Sequence, residues 1–402
     1  MNRLNRETRV RILNALLEGS SQRSCERMFG VSNNTVARLF RDAGDMAIAK
    51  AQEIRDLNCE RIQADELYAF VGARQRNVHR MKNPRPGTGT VWCYLAQDAD
   101  TKLVIAYRLG DRRVYDATEF MRSVASKLRR NDHGSFEVRP TIITDGLGAY
   151  KEACAIAFGT DADVGMMIKK YENLGEDGEP RPSSRYIGSD RVPIIGSPSR
   201  RDISTAYVER LNLNVRMDNR RYGRRTNAFS KTLLNHERHV ALWMLHTNYC
   251  RTPRPMRPRT KDIIGGDNRW VKRVPPAMAA GLSDRPWEID DLITMTDEFL
   301  TNRTAQAIAQ GHLPNEPEGL PSHWVYWSRL HYNAKVHAAS CSSCRNGDGK
   351  NGGGGSAGSW YPFHSLESAL EAAKGFEPDR HGVCNLCLGS YRTQGGYRGP
   401  RR

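Results

Sequence analysis

Apolar residues recur at helical spacing from the start of the chain. Val10, Ile12, Leu13, Leu16 and Leu17 share one face, and Gly19 ends that run. Ser20-Ser21 can cap a second helix carrying Cys25, Met28 and Phe29. After Gly30, Ser32 is a suitable N-cap for a third helix over residues 35–41. From residue 62 the period changes to that of strands. Residues 65–71, 91–96 and 103–107 are apolar or alternating runs, and the last two are separated by an Asp98-Ala-Asp-Thr turn, which predicts an antiparallel meander. Ala117, Phe120, Met121, Val124 and Leu128 line one face of a helix over 116–130. Residues 141–144 form a short buried strand ending on Asp145-Gly146, and a helix follows over 149–158. Residues 172–202 are polar and rich in Gly, Pro and Ser, with short strands at 184–187 and 192–195. Helices are predicted over 205–219, 229–249, 275–281 and 287–300.

The first three helices have the outline of a helix-turn-helix. In that arrangement Asn33, Asn34, Thr35, Arg38 and Arg41 would face a DNA major groove, although a three-helix packing unit has the same outline. The chain thus divides into a helix-turn-helix domain (1–45), a helical linker (46–60), a catalytic domain (61–250), a basic and helical extension (251–330), a cysteine-bearing module (331–390) and a disordered Gly/Arg tail (391–402).

Charge sharpens this outline. The 402 residues include 61 Lys and Arg against 45 Asp and Glu, a net charge of +16. Such a surplus favours a polyanionic partner. Nucleic acid fits better than membrane, because no apolar run of about 18 residues is present to span a bilayer. The N-terminal segment has no signal-peptide core, so a cytoplasmic, nucleoid-associated protein is expected. Of nine cysteines, five are scattered and four form two Cys-x-x-Cys pairs, Cys341/Cys344 and Cys384/Cys387. Without a secretion signal these pairs suggest a structural Zn²⁺ site, with redox-active thiols as the alternative. His331, His337 and His381 are alternative ligands.

Three strands, a helix, a strand and further helices follow the order of an RNase H-like core. The expected fold is therefore α/β: an RNase H-like mixed sheet with flanking helices, preceded by the all-α helix-turn-helix and followed by a small zinc-ribbon-like module. Such a core carries one acid on its first strand, one at the end of its fourth and one on a later helix. Asp65, Asp145 and Glu209 occupy those places. Three carboxylates suit two Mg²⁺ ions, or Mn²⁺, because hard cations prefer oxygen ligands and a pair of them can clamp the attacking and leaving oxygens of a phosphodiester. Glu66 competes with Asp65 for the first place, and Asp190, Asp202, Asp218 and Glu237 compete with Glu209.

Three segments narrow the choice. Asp65-Glu-Leu-Tyr-Ala-Phe-Val-Gly72, Thr144-Asp-Gly-Leu-Gly-Ala-Tyr150 and Ser204-Thr-Ala-Tyr-Val-Glu-Arg-Leu-Asn-Leu-Asn-Val-Arg216 resemble, in order, the three acid motifs of the insertion-sequence-one family of bacterial DDE transposases. Thr226-Asn-Ala-Phe-Ser-Lys231 and Asn248-Tyr-Cys-Arg251 fit the same pattern. The resemblance covers about half the chain. It implies cleavage at element ends and joining of the freed 3′-hydroxyl to target DNA, with Asp65, Asp145 and Glu209 as the metal-binding acids and at least a dimer on double-stranded DNA. The chain departs from compact members in its longer interval between the second and third acids and in lacking their N-terminal zinc finger. Around and after the third acid, Arg210, Asn212, Arg216, Arg220, Arg221, Arg224 and Arg225 are candidate phosphate contacts. His236, His239 and His246 read as structural histidines, with metal binding by His236 and His239, at i, i+3 spacing, the alternative. Two other functions remain open on the residues: a non-catalytic DNA-binding regulator, and an RNase H-like nuclease that only hydrolyses.

Overall fold

The computed structural model describes residues 4–173, 175, 183–223, 226–253, 274–309, 323–328, 333–338, 358–363, 366–376 and 381–384. They fall into two compact units: residues 1–70 with 90–301, and residues 71–89 with 302–402.

The first unit is built on a six-stranded mixed sheet of β1 (Arg61–Val71), β2 (Gly89–Asp98), β3 (Val104–Gly110), β4 (Thr141–Asp145), β5 (Asp163–Glu172) and β6 (Arg185–Ile195), in the order β3-β2-β1-β4-β5-β6. β2 and β3 pair antiparallel, β4 lies parallel to both β1 and β5, and β6 returns antiparallel to β5. Parallel neighbours need crossover connections. α5 (Val114–Ser126) lies in the connection to β4, and α6 (Ala149–Phe158) in the connection to β5. Their buried faces, among them Phe120, Val124, Tyr150 and Cys154, join Ile62, Leu67, Leu95, Ile142 and Ile143 in the core. This six-stranded sheet with flanking helices is compatible with an RNase H-like core.

β5 has no counterpart among the strands expected from the sequence. Its alternation is broken by Gly165, where an added Cβ would lie 2.6 Å from Ile203 Cγ1. The glycine that weakens the strand pattern is required by close approach of another segment. The two short strands expected near 184–195 are one, because β6 pairs along nearly all of β5.

α1 (Arg6–Leu17), α2 (Gln22–Phe29) and α3 (Asn33–Glu53) precede the sheet. The side chains of Asn5, Ser21 and Ser32 cap them by accepting the N–H groups of Thr8, Ser24 and Thr35. α3 runs without interruption through the expected boundary near residue 45. It packs on α8 (Leu233–Leu245), with Asp45 accepting two hydrogen bonds from Arg238 at 2.6 and 2.9 Å. Gly44 permits this contact: a Cβ there would lie 2.5 Å from Arg238 Cβ and 3.2 Å from its Cα. Ala gains about 1 kcal/mol of helix propensity over Gly, but overpacking against another helix costs about 1–3 kcal/mol. Gly44→Ala is therefore expected to lower the melting temperature, and an unchanged or raised value in calorimetry would count against this packing. At the far end of α3, Lys127 Nζ donates to the carbonyls of Ala51 and Ile54 at 2.7 and 3.2 Å, closing the helix C-terminus.

α7 (Ala206–Asp218) and a 3-10 turn (Arg220–Tyr222) follow β6. After α8 the helix widens into a π-turn (His246–Cys250). There Asn248 meets β3, at the edge of the sheet: its Oδ1 accepts the N–H of Val104 and its Nδ2 donates to the carbonyl of Val104, both at 2.9 Å. α9 (Pro276–Ala279) and α10 (Ile289–Ala309) come last, and Arg9 of α1 makes paired hydrogen bonds to Asp297 of α10 at 2.9 and 2.7 Å.

The second unit contains α4 (Gln75–Val78) and a four-stranded sheet of β7 (His323–Ser328), β8 (Asn333–Ala338), β9 (Gly358–Phe363) and β10 (His381–Val383), ordered β10-β8-β7-β9, with α11 (Leu366–Phe376). Val325, Ala334, Val336, Ala369 and Ala373 form its core. Cys384 is buried just beyond β10, its N–H bonded to the carbonyl of Val336 at 2.8 Å. Cys341, Cys344 and Cys387 lie outside the described residues, as do His331 and the tail. Among the described residues, no helix is long and apolar enough to cross a membrane.

Candidate metal centre

Strand geometry sends Gln63 and Asp65 to one face of β1 and Glu66 to the other. Gln63 Oε1 accepts the N–H groups of Tyr207 and Val208 at 2.9 and 3.0 Å. These belong to the first turn of α7, which leaves its N–H groups without helical partners, and the preceding Thr205 makes no side-chain cap. Further along α7, Asn212 Nδ2 donates to Asp65 Oδ2 at 2.8 Å. The helix is thus fixed to β1 at two points, and Glu209 lies between them. Asp145 arrives on the neighbouring strand. Ala64 pairs with Thr144, so the next residues on each strand, Asp65 and Asp145, are adjacent. Asp145 Oδ1 accepts the N–H of Leu147 at 3.1 Å. Glu66 is held by Arg112 Nε at 2.7 Å and by the Tyr150 hydroxyl at 3.2 Å. Oxygens of Asp65, Glu66 and Asp145 all lie within 4.8 Å of one another.

Crowding these carboxylates has an electrostatic cost. Burial and then the charge of Asp145 push Asp65 up to about 7. Burial and the charges of Asp145 and Asp65 also raise Glu66, and burial raises Asp145. Glu209 behaves differently. Burial would raise it, but hydrogen bonds from Lys169 and Thr205 outweigh burial and hold it below the usual range. Lys169 Nζ sits 2.8 Å from Glu209 Oε1, and its charge also acts on Asp65 and Asp145.

A divalent cation fits this arrangement. The donor set is all carboxylate oxygen, which hard cations prefer, and the raised pKa values come first from burial and then from mutual repulsion that a bound cation would relieve. Asp65, Glu66 and Asp145 can supply ligands as they stand. Glu209 is not among the carboxylates that meet this spacing and is paired with Lys169 instead.

The remaining candidates are dispersed. Asn34, Arg38 and Arg41 are exposed on α3, while Asn33 and Thr35 are half-buried in its first turn. Arg210, Arg216 and Arg220 are exposed, whereas Asn212 is buried against Asp65 and does not face solvent. Arg221 is half-buried, its Nε donating to Ser230 Oγ at 2.9 Å. Arg224 and Arg225 lie outside the described residues. His236 and His239 are buried and pair with Ser230 and Asn219 at 3.1 and 2.7 Å, and burial pushes His236 down to about 3 and His246 to about 4. Sequence reasoning missed Gln63 and Lys169 and set Glu66 against Asp65 as a competitor, whereas the two stand together. Gln63 carried a faint signal, being two residues before Asp65 on the same face. Lys169 carried none, because its strand was not recognised.

No family model matches the chain, and no curated protein sequence matches it. Among solved structures, the chain is similar to the crystal structure of the Mos1 strand transfer complex, at 12% identity over 37% of this chain and 54% of that one, with a TM-score of 0.15. It is also similar to the crystal structure of an endonuclease V from Bacillus subtilis, at 15% identity over 52% of this chain and 92% of that one, with a TM-score of 0.19. The matched region spans about half the length of the Mos1 chain. Similarities at these scores establish no shared activity.

Proposed function

We propose that the chain is a metal-dependent DNA transposase that cleaves the ends of its element and joins the freed 3′-hydroxyl to target DNA. The observation that carries this reading is the convergence of Asp65, Glu66 and Asp145 from adjacent strands, with Glu209 brought beside them by a helix fixed to the same strand. The resemblance of the three acid segments to insertion-sequence-one transposases favours joining over simple hydrolysis. When bound, two Mg²⁺ or Mn²⁺ ions activate the attacking oxygen and stabilise the leaving one. In this reading Asp65, Asp145 and Glu209 hold the ions and Glu66 supplements them. Arg112 and Tyr150 keep Glu66 in place, while Asn212 orients Asp65. Lys169, released from Glu209, is left beside the substrate phosphate.

Around this centre, α2 and α3 serve as a helix-turn-helix that presents Asn34, Arg38 and Arg41 to DNA. The second unit holds the Cys341, Cys344, Cys384 and Cys387 zinc site, and the enzyme acts as at least a dimer. The test uses a linear duplex carrying the native flanks of the coding sequence, a second target duplex and Mg²⁺. Denaturing gels should show nicked ends and strands joined to the target. Hydrolysis without joining would identify a nuclease, and binding without cleavage a DNA-binding regulator.

A further inference from the structure

A cavity of about 270 Å³ lies within the first unit between the N-terminal helices and the turn after α7. Ser21, Gln22 and Arg23 from the start of α2 line one side, Arg220 and Arg221 another, and Phe40 of α3 contributes an aromatic wall. No Asp or Glu lines it. The first turn of α2 contains no acidic residue, although a helix N-terminus favours negative charge. Its Ser21 cap takes up the N–H of Ser24, and the carbonyl of Ser21 takes up that of Cys25. The N–H groups of Gln22 and Arg23 have no acceptor among the described residues.

The second feature is the arginines. Arg23, Arg220 and Arg221 make no ion pair with a carboxylate among the described residues. Arg221 is the most constrained of them. Its Nε is bound to Ser230 Oγ, its guanidinium lies 5.5 Å from the Phe40 ring centroid, and its two terminal nitrogens have no acceptor among the described residues. Burial pushes Arg221 down to about 10, and its charge helps keep the neighbouring His236 and His239 neutral. Arg221 is a half-buried cation with no carboxylate partner among the described residues, and it faces a helix start with no acid in its first turn, so the cavity is suited to an anion. The helix start supplies directed N–H donors and the guanidinium a planar fork suited to phosphate.

We propose that this cavity is a phosphate-binding site that takes one backbone phosphodiester of the bound DNA, clamped between the start of α2 and Arg220-Arg221. The inference deepens the DNA-processing reading and rests on it. It implies that the N-terminal helices and the metal-bearing sheet grip the same strand through a contact that is blind to base sequence. The groove of α3 contacts would be anchored by a fixed point on the core, because α3 is held to α8 by Gly44 and the Asp45–Arg238 pair.

The full-length chain with Arg221→Gln, and separately the exposed pair Arg23→Gln and Arg220→Gln, should bind every duplex more weakly by the same factor. Each set should flatten the slope of log affinity against log salt by about one, as expected for one lost phosphate contact. The exposed pair keeps the test open if Arg221→Gln fails to fold. Inorganic phosphate, in a thermal melt, should raise the melting temperature of the wild type and not of the variants. Unchanged salt slopes in both sets would overturn the proposal. A phosphate-induced stabilisation lost in the variants without any change in DNA binding would also overturn it, by showing a free-anion site only. The two readings fail separately: DNA binding with the predicted slopes but no cleavage leaves the pocket and removes the transposase, whereas cleavage with unchanged slopes does the reverse.

Discussion

Asp145→Asn is expected to lower metal-dependent strand cleavage and joining together by at least about 100-fold, since substitutions that only support a metal ligand already cost about 10–100-fold. The substitution keeps the shape of the side chain, and the Asn oxygen can still accept the Leu147 N–H that Asp145 accepts at 3.1 Å. What it removes is one negative charge from three carboxylates whose oxygens lie within 4.8 Å of one another. DNA binding should survive, because Asp145 touches none of the arginines proposed to contact phosphate. The metal-free variant should also melt higher than the wild type, because the charge of Asp145 repels the neighbouring carboxylates and helps raise Asp65 and Glu66. Loss of cleavage with a raised metal-free melting temperature marks a charged metal site. Loss with a lowered one marks simple structural damage, and wild-type cleavage would remove Asp145 from the site altogether.

The stability of the metal-free protein should fall as pH rises from about 5 to 8, and Mg²⁺ should restore most of the loss at the upper end. Asp65 has an ordinary value of 3.8 and sits at about 7 when folded. A carboxylate raised in this way contributes its stability below the unfolded value and loses it as pH climbs through the folded one. At about 1.4 kcal/mol per tenfold change in acidity, Asp65 alone accounts for on the order of 3 kcal/mol of the fall above pH 5. Glu66 and Asp145 shift in the same direction and add to the fall. Glu209 shifts downward, so its contribution is already complete above its ordinary value of 4.5 and stays constant between about pH 5 and 8. Because a cation binds only the ionised carboxylates, its stabilising effect grows with pH. Calorimetry with chelator and with Mg²⁺ at pH 5.5 and 8 should show the larger metal-induced rise at pH 8. Asp65→Asn should flatten the metal-free profile, and an equal rise at both pH values would place the binding groups elsewhere.

Much of the sheet could be read from the sequence because its strands have one buried face or two. The runs at 65–71, 91–96 and 103–107 and the strand before Asp145 are all present. β5 was illegible because Gly165, needed for the approach of Ile203, breaks the pattern near its start. Without β5 there was no way to place Lys169 beside Glu209. The relation of Asp65 to Glu66 was illegible for a different reason. Alternation along a strand separates neighbours, and only the end of β4, which lies beside both, brings their carboxylates together. The placement of Glu209 depends on Gln63 and Asn212, two amides whose bonds run from strand to helix and leave no mark in periodicity. The helix expected over 35–41 and the helical linker expected after residue 45 are one element, α3, in which Gly44 is a packing residue against Arg238.

The amide of Asn248 occupies both polar groups of Val104 on β3, the edge strand next to β2. An exposed strand edge is a template on which another chain can add its own strand, and proteins that expose one are prone to aggregate. Asn248 closes that template at Val104 with a side chain that imitates a neighbouring strand and, being a side chain, cannot propagate the pairing. It can reach Val104 because the helix end widens into a π-turn. One segment that resembled a transposase motif therefore also guards the sheet: at Val104 it blocks edge-to-edge pairing between copies of the chain.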